Sequence, residues 1–196
     1  MKKSLILIIG IILFSNAVNA QKAFKIYSKE GKEVSFEKMV KALAKSNVVL
    51  FGEQHNNPIC HWMQLKVTQG VYEINGSLIM GAEMFESDNQ LLVNEYLEGF
   101  IRTKDFEKEM RLWDNYKTDY KPLIEFAKTN NIQFVATNVP RRYAAIVSKN
   151  GFSKLDSLSE DSKAYLAPLP ILYDTLNPSV NKMLNMDFGH GKGGPE

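Results

Sequence analysis

Apolar positions along this chain follow two different rhythms, and the two alternate. Short, mainly apolar runs at residues 48–51, 78–85 and 132–138 predict buried strands, since each is too short for a helix and is bounded by turn residues. Between them the apolar residues recur every three or four positions. Met39, Val40, Leu43 and Ala44 share one helical face; a second helix runs through Trp62, Leu65 and Val67, and a third carries Leu91, Leu92, Val93, Tyr96 and Leu97. Phe106 with Met110, Leu123 with Phe126 and Ala127, and residues 144–147 repeat the rhythm. The punctuation agrees. Ser35 stands where a helix cap belongs, Asn57-Pro58 reads as cap plus first-turn proline, and Asn75-Gly76 reads as a turn. Asp88 is placed to cap the next helix, which Gly99 stops; Thr103, Pro122 and Pro140 open three more. An edge strand at residues 24–28 and a turn at Gly31 precede all of this.

Strands alternating with helices of this length predict an α/β fold with a parallel-sheet core and flanking helices, its ligand site at the carboxyl edge of the strands. One domain is expected over residues 21–196. Its C-terminal part reads as truncated, because residues 155–180 lose the pattern and the chain closes on Gly-His-Gly-Lys-Gly-Gly-Pro-Glu.

The first twenty residues stand outside that scheme. Met1-Lys2-Lys3, an apolar stretch from Leu5 to Phe14 and the small-x-small ending Val18-Asn19-Ala20 predict a secretory signal peptide cleaved after Ala20. A secreted or periplasmic protein follows. The cleavage point has no lipobox cysteine. Removing Lys2 and Lys3 leaves 22 basic side chains against 22 acidic ones, so electrostatic capture of nucleic acid is not expected. Cys60 is the single cysteine, and packing rather than disulfides must hold an exported chain of this kind.

Chemistry concentrates where the apolar runs end. The first run passes into Gly52-Glu53-Gln54-His55, the second contains Glu83, and the third finishes at Thr137-Asn138. If the runs are parallel neighbours, Glu53, His55, Glu83 and Asn138 converge. Glu53, His55 and Glu83 are then candidate ligands of a divalent metal ion. Glu83, between apolar neighbours, is expected to be partly desolvated with a raised pKa, and Glu53 is the candidate catalytic group of a hydrolase. His61 falls one turn into the helix that Pro58 opens. A second group joins Trp113, Tyr116 and Tyr120 to Arg141, Arg142 and Tyr143. Arginine forks pair with carboxylate or phosphate, and a tyrosinate can bind ferric haem iron.

Three blocks, VVLFGEQHNNPICHWMQL, GAEMFESDNQLLVNEYLEG and YKPLIEFAKTNNIQFVATNVPRR, resemble the ChaN-like haem-binding uptake family of the Tiki superfamily. The resemblance implies an exported haem or iron binder acting in uptake, with haem as cofactor, and a homodimer and an outer-membrane receptor as partners. It matches Gly52-Glu53-Gln54-His55, His61, Glu83 and the stretch from Asn138 to Arg141 to family motifs. On that reading Arg141 or Arg142 pairs with propionates, and Tyr116, Tyr120, His55 or His61 approaches the iron. The alternative implied by the wider superfamily is a metal-dependent hydrolase using the Gly-x-x-His motif. Family members usually continue past the glycine-rich stretch around His190, so a metal site that needs a ligand from beyond it is not expected to be complete in this sequence.

Overall fold

The computed structural model describes residues 23–172 and 174–185; the expected signal segment, His190 and the glycine-rich end lie outside the described residues. The chain separates into two compact units. The first takes residues up to Leu78 together with Asp114–Phe126, and the second takes Ile79–Trp113 and everything from Ala127 onward.

In the first unit, β1 (Ile26–Tyr27) and β2 (Glu33–Val34) form an antiparallel hairpin with Ile26 opposite Val34. Gly31, at φ 76°, makes the turn between them. Helix α1 (Phe36–Leu43) begins where the sequence places it, with the Ser35 side chain accepting from the Lys38 amide. Helix α2 (Pro58–Asn75) starts under an Asn57 side chain that accepts from the Ile59 and Cys60 amides, and stops at left-handed Gly76. The two helices meet at Gly70. A Cβ there would stand 2.9 Å from Val40 Cγ1, so only glycine allows this approach. Asn75 Nδ2 donates to the Ala44 carbonyl at 3.0 Å and ties the far ends together. A π-type turn at Tyr116–Tyr120 then leads into α5 (Lys121–Thr129).

The second unit is built on β3 (Met80–Glu86) and β4 (Phe134–Asn138), a parallel pair. The register runs Met80 to Phe134 and Ala82 to Ala136, then jumps to Glu86 opposite Asn138. Four steps on β3 therefore match two on β4, and the irregularity rotates the end of β3 out of strict alternation. Helices α3 (Gln90–Leu97) and α4 (Thr103–Glu109) follow β3, and α6 (Arg141–Asn150) follows β4. The core holds Phe85, Val93, Tyr96, Phe106, Phe134 and Leu155, with Tyr96 stacked on Phe106 at 4.3 Å. The outer edge of β4 is closed by one side chain. Gln90 donates Nε2 to the Phe134 carbonyl at 2.9 Å and accepts from the Ala136 amide at 2.7 Å, imitating a neighbouring strand.

The α/β class and the parallel pair agree with the sequence. Three local expectations do not. Residues 48–51 form no strand, and Val48 and Leu50 are 73% and 92% exposed. A strand exists only with a hydrogen-bonded neighbour, and among the described residues the two sheets are β1–β2 and β3–β4. Asp88 does not cap α3. It lies in a 3₁₀ turn, Ser87–Asn89, and its carboxylate goes to arginines instead. Glu83 is exposed rather than desolvated, because it alternates with the buried Met80, Met84 and Glu86 and so takes the opposite face of the strand.

Candidate functional site

Each unit carries one polar cluster. In the first, everything turns on Glu53, whose side chain is 7% exposed. Its Oε1 accepts from His55 Nδ1 at 2.6 Å and from the Tyr120 hydroxyl at 2.7 Å, and its Oε2 accepts from Gln64 Nε2 at 2.7 Å. Burial pushes this carboxyl upward, but the hydrogen bonds from His55, Tyr120 and Gln64 overcome it and hold the pKa below its ordinary value. Glu53 is therefore an ionised, acceptor-only group. Tyr120 responds in the opposite sense: burial and the bond to Glu53 both raise its phenol.

The ionised Glu53 sets the directions of the remaining bonds. Gln64 must turn its amide nitrogen to the carboxylate, which leaves its Oε1 facing His61 Nδ1 at 3.0 Å. His61 Nε2 faces the His55 carbonyl, also at 3.0 Å. Both ring nitrogens thus lie within hydrogen-bond reach of an oxygen. This 3% exposed ring is flanked by Glu53 Oε2 and Asp119 Oδ2, each at 3.7 Å. Asn115 closes the network, donating to the His55 carbonyl and to Asp119.

The second cluster stands at the carboxyl end of β3 and β4. Glu86 is 6% exposed. Its Oε2 accepts from Arg111 Nε at 3.0 Å and from the Arg141 amide at 3.1 Å, while Oε1 accepts from Arg141 Nε at 2.5 Å. Asp88 takes Arg111 Nη2 on one oxygen and Arg142 Nη1 on the other. Arg142 reaches on to the Tyr143 hydroxyl at 3.2 Å, and its guanidinium lies 4.5 Å from the centre of that ring. Tyr165 lies 5.7 Å from the same guanidinium. Hydrogen bonds from Ser162 and Arg142 pull the Tyr143 phenol below its ordinary pKa, against the effect of burial. Three guanidiniums share two carboxylates, so the cluster is positive and suits an oxyanion.

The structure therefore groups the sequence candidates by unit. Glu53, His55, His61 and Tyr120 meet in the first, with Tyr116 buried in the same π-type turn. Glu83, Trp113, Asn138, Arg141 and Arg142 belong to the second. Asn138 pairs with Glu86 in register beside the arginines, and Trp113 is half-buried. Among the described residues, no group of three or more His, Cys, Asp and Glu side chains is arranged to hold a metal ion. Sequence reasoning missed Gln64, Asn115 and Asp119 in one cluster and Glu86, Asp88 and Arg111 in the other. Gln64 had a signal, standing one helical turn beyond His61. Glu86 had one too, sharing by strand alternation the face of Met80 and Met84.

A parallel strand pair with helices after each strand, and a basic cluster at the carboxyl edge, places the molecule among α/β proteins that bind ligands at that edge. The family model described as "Haem-binding uptake, Tiki superfamily, ChaN" matches residues 39–196, and the chain belongs to that family. A solved structure, "Cofacial heme binding to ChaN of Campylobacter jejuni", is similar in fold, with a TM-score of 0.52 and 18% identity. That similarity covers 66% of this chain and 55% of the other, so the chain spans little more than half the length of that relative. No curated protein matches the chain.

Proposed function

We propose that the chain is an exported haem-binding protein serving haem or iron uptake, with haem held at the basic carboxyl edge of β3 and β4. The observation that carries this reading is the cluster of Arg111, Arg141 and Arg142 around Glu86 and Asp88, in a chain of a haem-binding uptake family. Guanidinium forks suit the propionates of haem. The residues also fit the iron. A ferric centre takes phenolate, and bound iron would supply the spectroscopic and redox chemistry of the complex. Tyr120 is poorly suited to give up its proton, since its hydroxyl donates to Glu53 and its pKa is raised. Tyr143 is better suited, since Arg142 and Ser162 donate to its oxygen and its pKa is lowered. We place Tyr143 ahead of Tyr116, Tyr120, His55 and His61 as the group that approaches iron. Its ring is 5% exposed, so the half-exposed Arg142 side chain that lies over it must shift to admit a ligand.

Export rests on the signal-like N-terminus, and the homodimer is suggested by the cofacial haem named for the Campylobacter jejuni ChaN structure. The uptake receptor rests on the family alone. The hydrolase alternative has less to support it. Glu53 already accepts three hydrogen bonds, and the described residues offer no metal-holding group of His, Cys, Asp and Glu.

The test is a haemin titration followed by absorbance. Saturable binding, with a Soret band that moves in Tyr143→Phe and stays in Tyr120→Phe, is expected. Non-saturating adsorption would remove the haem reading, and a band unmoved by Tyr143→Phe would remove Tyr143.

A further inference from the structure

The sequence offers Arg141 and Arg142 as neighbours of equal standing, and the structure gives them different tasks. A guanidinium has five N–H donors. Arg142 spends Nη1 on Asp88 and Nη2 on the Tyr143 hydroxyl, with its plane against that ring. Arg111 spends Nε on Glu86 and Nη2 on Asp88, so it bridges the two carboxylates. Arg141 spends only Nε, on Glu86 Oε1. Its two terminal nitrogens make no hydrogen bond among the described residues, and its side chain is 66% exposed.

The anchoring is one-sided as well. Glu86 is fixed at the end of β3, and it grips Arg141 twice, through Nε and through the main-chain amide. The base of the Arg141 fork is held by a buried carboxylate while its outer edge stays in water. Two carboxylates cannot neutralise three guanidiniums, so one positive charge is left over, and of the three Arg141 alone keeps both terminal nitrogens unspent. That edge matches the two oxygens of one carboxylate.

We infer that Arg141 is the carboxylate-binding head of this site, that Arg111 is a positioning residue acting through Glu86 and Asp88, and that Arg142 serves Asp88 and Tyr143 rather than the ligand carboxylate. The inference rests on the haem-binding reading and narrows it: the ligand is recognised by a free carboxylate, one propionate of haem, independently of its iron.

Haemin and haemin dimethyl ester, whose carboxylates are blocked, are titrated in the same detergent into the purified chain and into Arg141→Ala, Arg141→Lys, Arg111→Gln and Arg142→Ala. Circular dichroism confirms that each variant is folded. The unaltered chain should prefer haemin by about tenfold or more, the worth of one charge-assisted contact. Arg141→Ala should abolish that preference while leaving ester affinity and the Soret position unchanged. Arg141→Lys, a charge without a fork, should keep only part of it. Arg111→Gln should reduce it, and Arg142→Ala should leave the haemin-to-ester ratio intact. Equal binding of acid and ester, or a preference that survives Arg141→Ala, would overturn the inference and leave haem binding standing. Binding of neither ligand would overturn the haem reading and this inference with it.

Discussion

The bond between Glu53 and Tyr120 gives the sharpest test of the first cluster. Glu53→Ala removes the acceptor from three donors at once: His55, which is half-exposed, and Tyr120 and Gln64, which are not. Water can replace the partner of His55 at little cost. Tyr120 is 2% exposed, and its hydroxyl would be left facing a void. A buried donor stripped of its partner costs about 1–3 kcal/mol. With Gln64 added, the single substitution should cost roughly 2–6 kcal/mol. Tyr120→Phe should cost only about 1 kcal/mol, because Glu53 keeps two donors. In the double variant the hydroxyl that lost its carboxylate acceptor no longer exists, so the two costs should fall short of adding by about 1–2 kcal/mol. Urea unfolding at neutral pH, read by circular dichroism on all four members of the cycle, measures that coupling. Strict additivity would refute the claim that this hydrogen bond organises the cluster.

Three further outcomes are expected. Gly70→Ala should destabilise by about 1–2 kcal/mol despite alanine's better helix propensity, because its Cβ would meet Val40 at 2.9 Å; the effect should shrink in a Val40→Ala background, as a thermal melt would show. Gln90→Leu should cost about 2 kcal/mol by stranding the Phe134 carbonyl and the Ala136 amide, and faster amide exchange at Ala136 would report it directly. The pH dependence of stability should have two limbs. Glu53, depressed in the fold, stabilises fully above the unfolded carboxylate pKa of about 4.3 and loses that contribution as pH falls through its lower native value. Tyr120, raised in the fold, stabilises fully below about pH 10 and loses that contribution as pH rises toward its native value. The alkaline limb should flatten in Tyr120→Phe, and an unchanged alkaline limb would contradict the reasoning.

Local chemistry was legible in the sequence. The Ser35 and Asn57 caps, the first-turn Pro58, the stop at Gly76 and the helix after Pro140 all depend on contacts within a few residues. The meeting of Glu53 with His55 was legible too, being a separation of two residues. Tertiary structure decided the rest. Residues 48–51 have the composition of a strand, but composition supplies no neighbour to pair with. Glu83 and Glu86 are both glutamates on one strand, and what packs against each face of it determines which of them is buried. Asp88 is a good cap by type, yet Arg111 and Arg142 claim it from 23 and 54 residues away. Arg141 and Arg142 are indistinguishable as letters and differ only in what their donors meet. The sequence by itself determined which residues could do chemistry and which helices would carry them, because those are properties of side chains and of short backbone stretches. Only the fold decided which groups are paired, buried or left with donors to spend, because hydrogen bonding and desolvation depend on neighbours that chain order does not reveal.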